Sequence, residues 1–464
     1  MTLRTLRTLD DLLARADVAP AEERVTITGQ DPVFPTRFRI GELGAAAIAA
    51  AALQAARIHE ARGGPQQSIS VAVDAAAAAM RSWRYAQEVP APPPAAPAPL
   101  LGFYPARDGR WIYMQRGLSH HLDREMRVLG IGEDRSEEAI AAATRGWDAL
   151  ELEEAIVDAG ASASVVRTRD EWALHPQARA IAGLPLFSIT KTGESDPEPV
   201  GRGDRPLGGV RVLDVTRVLA GPTAARALAE QGADVLRVSS PVYPEGTLMT
   251  RDTGHGKRST VLDLRDDGAR AALDALVAKA DVFSQGYRPG ALERLGYGHE
   301  RLAALRPGII SVSISAFGPA GPWRARRGFD SVVQAASGAA WEERDDDGRP
   351  LSTPANPLDY TCGYLAAFAV EVALTRRSIE GGSYHIELSL GQTGRYLDDL
   401  GLVSREAARA QPGELPDYRL DELRMESDTG YGRLRHLAPI AQLSHTPGRW
   451  DRPSEPPGQD RPIW

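Results

Sequence analysis

Residues 210–238 read VRVLDVTRVLAGPTAARALAEQGADVLRV, and this stretch decides the fold. VRVLDV is a short apolar strand, and Pro222 in RVLAGP suits the first turn of a helix that runs through AARALAEQ and stops at Gly232. ADVLRV at 233–238 is the next strand. The same alternation continues outward through TVLDL and DDGARAALDALVAKA, DVFSQ and GALERL, and IISVSIS at 309–315. Short apolar strands alternating with amphipathic helices predict an α/β fold, a doubly wound parallel sheet covered on both faces. GxGxxG is missing after the first strand, so a dinucleotide fingerprint is absent. The strand-to-helix loop can still present backbone N–H groups to a phosphate.

Upstream, GELGAAAIAAAALQAARIHEAR at 41–62 predicts a helix, Gly63-Gly64 its stop, and SISVAV at 68–73 a strand. EVPAPPPAAPAPL, from Glu88 to Leu100, predicts an extended linker or wrapping arm. LLGFYPARDGRWIYMQ reads as a hairpin about Asp108-Gly109, with helices following at 135–146 and 149–159. TKTGESDPEPVGRGDR at 190–205 reads as a second linker. The expected division is 1–100, a helical and strand segment with the proline-rich linker; 101–190, a smaller α+β domain; 206–400, the α/β domain; and 401–464, a wrapping tail. Downstream, GYLAAFAVEVALTRRSIEGGSYHIELSL repeats the helix, Gly-Gly, strand plan of residues 41–73. The first copy carries Ile40-Gly41-Glu42 where the second carries Asp359.

A net charge of -8 argues against a nucleic-acid binder while leaving room for a local basic pocket. One cysteine, Cys362, cannot form an internal disulfide and fits a reducing cytoplasmic setting. Asp10 and Asp11 interrupt any signal-peptide pattern, and the alanine-rich run from Gly44 to Ala56 is too short to span a bilayer. His120-His121 has no partner at a metal-ligand spacing, so no metal is expected. Lys257, Arg258, Arg265, Arg288 and Arg294 lie beside strand ends or helix starts, either as scattered surface charges or as a phosphate-binding set. Asp359, just after Pro357-Leu358, stands where a loop enters an apolar helix, either as a helix cap or facing a ligand.

Several motifs occur in one order: the 209–238 stretch, GKRSTVLDLR, YRPGALERLGYG, SISAFGPAGPWRARRGFDSVVQAASG and LDYTCG. Over roughly 208–400 the chain thereby resembles the class III CoA-transferases, the family of formyl-CoA and carnitine CoA-transferases. The resemblance implies a Rossmann-like CoA-binding domain with a smaller α+β domain, no tightly bound cofactor, and acyl-CoA and a small carboxylic acid as substrates. It implies Asp359 as the nucleophile, attacking the thioester to give an acyl-aspartyl anhydride and then an enzyme–CoA thioester. At an aspartate's ordinary pKa of about 3.9 this carboxylate is ionised at neutral pH and needs no base. CoA contacts carry over to Leu219, Ala220, Leu262, Asp263, Arg265, Tyr287, Arg288, Arg294, Arg327 and Phe329.

Three departures stand out. Ser239-Ser240 and Gly254-His255 replace charged and amide residues usual in the family, and no GGGGQ-like loop occurs. Residues 101–190 resemble the family's small domain moved to the front, which suggests a fused, degenerate tandem. The family's interlocked homodimer is expected, with part of that interlock satisfied within one chain. Two alternatives stay open: a CoA-binding relative without catalysis, and an acyl-CoA racemase, whose usual histidine is replaced by Phe329.

Overall fold

The computed structural model describes residues 3–90, 102–201, 203–242 and 248–464. From residue 91 onward, the proline-rich stretch expected as a linker lies outside them.

A seven-stranded sheet holds the architecture together, in the order 257–261, 234–239, 211–215, 282–285, 310–315, 383–389, 187–193. The first six strands run parallel and the last is antiparallel to its neighbour. Strand Arg211–Val215 lies inside the sheet. The chain winds outward from it to one edge, then returns to fill the other side beginning with Val282–Gln285. This reversal creates a topological switch point between strands 211–215 and 282–285, the place where open α/β sheets bind ligands. The doubly wound α/β fold expected from the sequence is the observed one.

The antiparallel edge strand differs from expectation. Phe187–Gly193 pairs with Ser383–Ser389, with Ile189 opposite Ile386, so the segment expected as a linker from 190 begins inside the sheet. An edge strand exposes one row of backbone groups and half its side chains, which explains its polar SITKTG composition.

Residues 103–165 carry a small antiparallel sheet of Phe103–Pro105, Trp111–Met114 and Ala163–Val165. Helices Ser119–Leu129, Glu137–Thr144 and Ala149–Asp158 belong to the same segment. The hairpin expected around Asp108-Gly109 is present, closed by a bond from the Ala106 N–H to the Arg110 carbonyl at 2.8 Å.

Two long helices, Ile40–Ala61 and Pro357–Glu380, pack together and are buried along most of their length. Helices apolar on all sides belong inside a protein, and alanine on the first permits close approach. Gln54 Nε2 donates to Thr375 Oγ1 at 3.0 Å across the pair. Each helix is followed by a positive-φ glycine, a strand and a further helix: Gly63, Ile69–Ala72 and Val73–Ala79 after the first, and Gly381-Gly382, Ser383–Ser389 and Leu390–Asp399 after the second. The strands go to different sheets. Ile69–Ala72 pairs with Val25–Thr28 and with Gln442–Leu443.

The C-terminal segment straps the far edge of the large sheet. Ser259 N–H donates to Asp460 at 2.8 Å, and Trp464 Nε1 donates to the Leu276 carbonyl at 2.8 Å. This strap accounts for the Gly254-His255 departure. A Cβ at 254 would lie 2.2 Å from Ser454 Oγ, and the His255 ring stacks 3.8 Å from that of His436. Among the described residues no helix is long and apolar enough to cross a membrane.

Candidate active site

The switch point opens into a cavity of 270 Å³. Residues Arg217–Gly221 form one wall, Gly286–Pro289 another, and Arg326–Phe329 a third. A fourth comes from helix Ser119–Leu129, through His120, His121 and Arg124. Asp359 lies in the lining.

Packing sets the position of Asp359. It is the third residue of helix Pro357–Glu380, whose Gly363 touches the start of helix Ala220–Glu230. A Cβ at 363 would lie 2.6 Å from the Ala220 carbonyl oxygen and 2.7 Å from Thr223, so only glycine allows this approach. The contact sets the second turn of this helix against the first turn of the other. The Ala220 and Gly221 amides that open the 220–230 helix have no acceptor within it and lie at its positive dipole end, whereas Pro222 has no N–H and the Thr223 N–H donates to the Leu219 carbonyl at 2.8 Å. The loop before it contains Val218 at φ 70°, a left-handed conformation that costs a β-branched residue energy and occurs mostly where function demands it.

Asp359 does not cap its helix. That task falls to Asp330, whose Oδ2 accepts from the N–H groups of Leu358 at 2.8 Å and Asp359 at 2.9 Å. Gln334 Nε2 donates to the other Asp330 oxygen, and Gln334 Oε1 accepts from the Thr353 N–H at 2.9 Å. The Asp359 carboxyl group is therefore free of capping work and only 6% exposed. Burial first, and then the Asp330 carboxylate, push its pKa well above the usual carboxylate range. Asp330 itself is pushed up to about 6 by burial. The expectation of an aspartate with ordinary acidity is thus corrected: the surroundings that position Asp359 also favour its protonated form.

The first repeat reproduces the capping but not the cavity. Asp31 Oδ2 accepts from the Glu42 N–H at 2.7 Å, and Glu42 stands third in its helix as Asp359 does. A Cβ at Gly41 would lie 2.9 Å from Val73, however, and Arg39 reaches Glu42 at 3.4 Å. The acid there is packed into the core.

Of the ligand contacts expected from the sequence, Leu219, Ala220, Tyr287, Arg288, Arg327 and Phe329 line the Asp359 cavity. Leu262, Asp263, Arg265 and Arg294 do not. Leu262 and Asp263 follow strand Lys257–Val261 on the carboxyl side of the sheet, and Arg265 pairs with Asp263 at 2.6 Å. Arg294 folds back toward Gly290, next to the cavity-lining Ala291. Lys257 and Arg258 leave the phosphate-binding set. Lys257 Nζ is buried, donating to Asp214 Oδ2 at 2.8 Å and to the Pro222 carbonyl at 2.8 Å. Asp214 in turn accepts from the Thr216 N–H at 3.1 Å, so the pair braces the loop from beneath. Arg258 pairs with Asp234 at 2.9 Å.

Among the lining residues left unassigned in the sequence are Arg124, Arg217, His120 and His121. Arg217 could have been flagged, since it lies inside the loop itself. The others come from a helix about a hundred residues upstream, beyond the reach of local patterning. His121 is buried, with its ring 5.5 Å from that of Phe329. Burial, then His120 and the arginines 327, 124 and 217, hold its pKa down to about 3, so it is neutral. Cys362 is fully buried, and burial pushes its thiol pKa up, away from nucleophilic use.

Comparison with known proteins follows the same outline. The family model CoA-transferase family III matches residues 23–193 and 207–415. An acyl-CoA transferase of Gibberella moniliformis is 32% identical over 294 residues, covering 59% of this chain and 50% of the relative. An acetyl-CoA:oxalate CoA-transferase of Acetobacter aceti is 34% identical over 197 residues, covering 40% and 51%. A solved CAIB/BAIF family protein of Brucella suis aligns with a TM-score of 0.40 at 26% identity, over 49% of this chain and 65% of its own. The chain spans about half the length of the curated relatives it matches. With the family matched across both its small antiparallel sheet and its doubly wound domain, the chain belongs to CoA-transferase family III.

Proposed function

We propose that the protein transfers coenzyme A between an acyl-CoA thioester and a small carboxylic acid, with Asp359 as nucleophile. The observation that carries this reading is a nearly buried carboxyl group, relieved of capping, in an arginine-lined cavity at the switch point. Arg124, Arg217, Arg288 and Arg327 suit a polyanionic ligand such as the CoA diphosphate. Leu262, Asp263, Arg265 and Arg294 are assigned to the outlying adenosine end, on the same side of the sheet.

In the first step an Asp359 carboxylate oxygen attacks the thioester carbonyl; the C–S bond breaks and the CoA thiolate leaves, giving an acyl-aspartyl anhydride. The thiolate then attacks the aspartyl carbonyl and expels the acyl group as a carboxylate, leaving CoA on Asp359 as a thioester. The acceptor acid reverses the sequence and departs as the new acyl-CoA. Each tetrahedral intermediate carries an oxyanion, for which the Ala220 and Gly221 amides at the start of helix Ala220–Glu230 are the assigned donors. Asp359 must give up its proton before attack, and an active site whose ionisation is held back at rest gates the reaction.

The architecture supports a degenerate tandem, in which the first repeat keeps its helix and small domain and the second its sheet and nucleophile. A cytoplasmic setting and assembly as a homodimer belong to the same proposal. One feature favours a second reading, CoA binding without transfer: burial and the neighbouring Asp330 carboxylate raise the Asp359 pKa and so disfavour the ionised nucleophile.

Intact-mass analysis after incubation with a panel of acyl-CoAs separates the two. A CoA adduct on the wild-type chain, absent from Asp359→Asn, supports transfer. Saturable CoA binding with no adduct and no exchange for any pair of substrates sinks it.

A further inference from the structure

A second cavity, of 320 Å³, lies directly behind the first. Leu358 and Gly391 line it, whereas their chain neighbours Asp359 and Leu390 line the first, so the partition is one residue thick. Its volume falls within the roughly 300–1,000 Å³ of small-molecule sites. Phe38, Trp172, Ile181, Leu358 and Leu397 give it an apolar body. Arg179, Arg395, Asp399 and the Arg169–Asp398 ion pair complete the charged groups in its lining.

Two independent features point to an occupant. The first is Gly394, inside helix Leu390–Asp399. A Cβ there would meet nothing nearer than the Leu358 methyl groups at 3.6 Å, an ordinary contact, and its φ is not left-handed. Neither sterics nor backbone conformation requires glycine, and glycine weakens a helix interior more than any residue except proline. The second is Gln392, which lines the same cavity and is only 6% exposed. Its Nε2 donates to the carbonyls of Leu184 and, at 3.2 Å, Pro185, which fixes the amide orientation. Oε1 is left without a hydrogen-bond partner. A buried acceptor with nothing to accept is destabilising until a ligand brings an N–H or O–H.

Building on the CoA-transfer reading, we propose that this cavity seats the body of the carboxylic acid exchanged at Asp359: an apolar acid bearing a hydroxyl that donates to Gln392 Oε1. The acid lies with its carboxyl end toward Leu358 and its chain along Trp172 and Ile181. Contact with Asp359 requires Leu358 to turn aside, and glycine at 394 leaves its methyl groups that freedom. A pocket with a hydrogen-bonding group for a hydroxyl also rejects analogues lacking it, because binding them leaves the group unpaired.

The test is calorimetric titration of acetate, octanoate, 2-hydroxyoctanoate and 3-hydroxyoctanoate into the full-length chain, without acyl-CoA. At least one hydroxyoctanoate should bind tenfold or more tighter than octanoate, and octanoate tighter than acetate. Gly394→Leu, which fills the cavity beside Leu358, should weaken hydroxyoctanoate binding at least tenfold. Ala178→Leu, on a different helix across the cavity, should do the same and serves if Gly394→Leu fails to fold. Gly394→Ala should melt no lower than wild type. Unchanged affinity in the filled variants, absence of hydroxyl preference, or no binding of any acid overturns the proposal. Since no thioester is present, these outcomes are separate from the trapping of CoA on Asp359.

Discussion

Asp330 Oδ2 accepts the backbone N–H of Asp359 at 2.9 Å, while the two carboxyl groups repel each other's charge. One residue thus fixes the place of the candidate nucleophile and raises its pKa. Asp330→Asn keeps an acceptor for the helix amides and removes the like charge. The acid limb of the pH–rate profile should therefore move to lower pH, as the Asp359 pKa falls. Asp330→Ala instead strands two buried N–H groups and should lower stability by about 1–3 kcal/mol in urea unfolding. An acid limb unmoved in Asp330→Asn would show that Asp359 does not govern it.

Glu125 is fully buried with neither carboxyl oxygen hydrogen-bonded, and burial pushes its pKa up to about 9 from an ordinary 4.5. The fold holds this proton after the unfolded chain has released it, so the fold binds more protons across that window. Stability then falls as pH rises from about 4.5 toward about 9, by as much as about 1.4 kcal/mol per pH unit. Glu125→Gln should match wild type near pH 4 and be the more stable of the two at pH 8. Parallel unfolding curves for the two proteins across that range would refute the assignment.

Lys257 belongs to the scaffold of the loop and not to the ligand. Lys257→Met leaves Asp214 charged and buried without its cation, at a cost of about 3–5 kcal/mol. Denaturant midpoints should show that loss, and Asp214→Asn in the same chain should recover part of it. Weakened CoA affinity with an unchanged midpoint would return Lys257 to the ligand.

Arg124 and Arg288 face one cavity from elements far apart in sequence. Alanine at either position should weaken CoA binding roughly ten- to a hundredfold, in line with losing a charge-assisted bond of roughly 1.5–3 kcal/mol. Both variants should also show a shallower dependence of CoA affinity on salt. Unaltered affinity in Arg124→Ala would remove the upstream helix from the site.

Helix Ile40–Ala61 covers much of helix Pro357–Glu380, which bears Asp359. Expressed alone, residues 206–464 would expose that apolar face and lose both small-domain cavity residues and edge strand Phe187–Gly193. The fragment should be insoluble or inactive. A stable, active fragment would end the idea that the two repeats jointly rebuild one fold.

The sequence exposes the large sheet because strands buried on both faces are rich in apolar residues, as in VRVLDV and ADVLRV. Phe187–Gly193 escapes because an edge strand has no such need. Asp359 is legible through its place at a loop–helix junction among ordered motifs. Asp330, 29 residues earlier, is not, since capping another helix leaves no local spacing to read. Lys257 misleads for a related reason: a lysine beside a strand end looks the same whether it meets solvent, phosphate or a buried aspartate. The second cavity is assembled from four separated segments and leaves no motif, although two glycines inside a ten-residue helix are a trace of it.

The wall formed by His120, His121 and Arg124 comes from the same chain as the loops it faces. A wall supplied in cis forms by folding and needs no encounter between molecules. Its contribution to ligand affinity should therefore be the same at nanomolar as at micromolar protein, and dilution should not remove it.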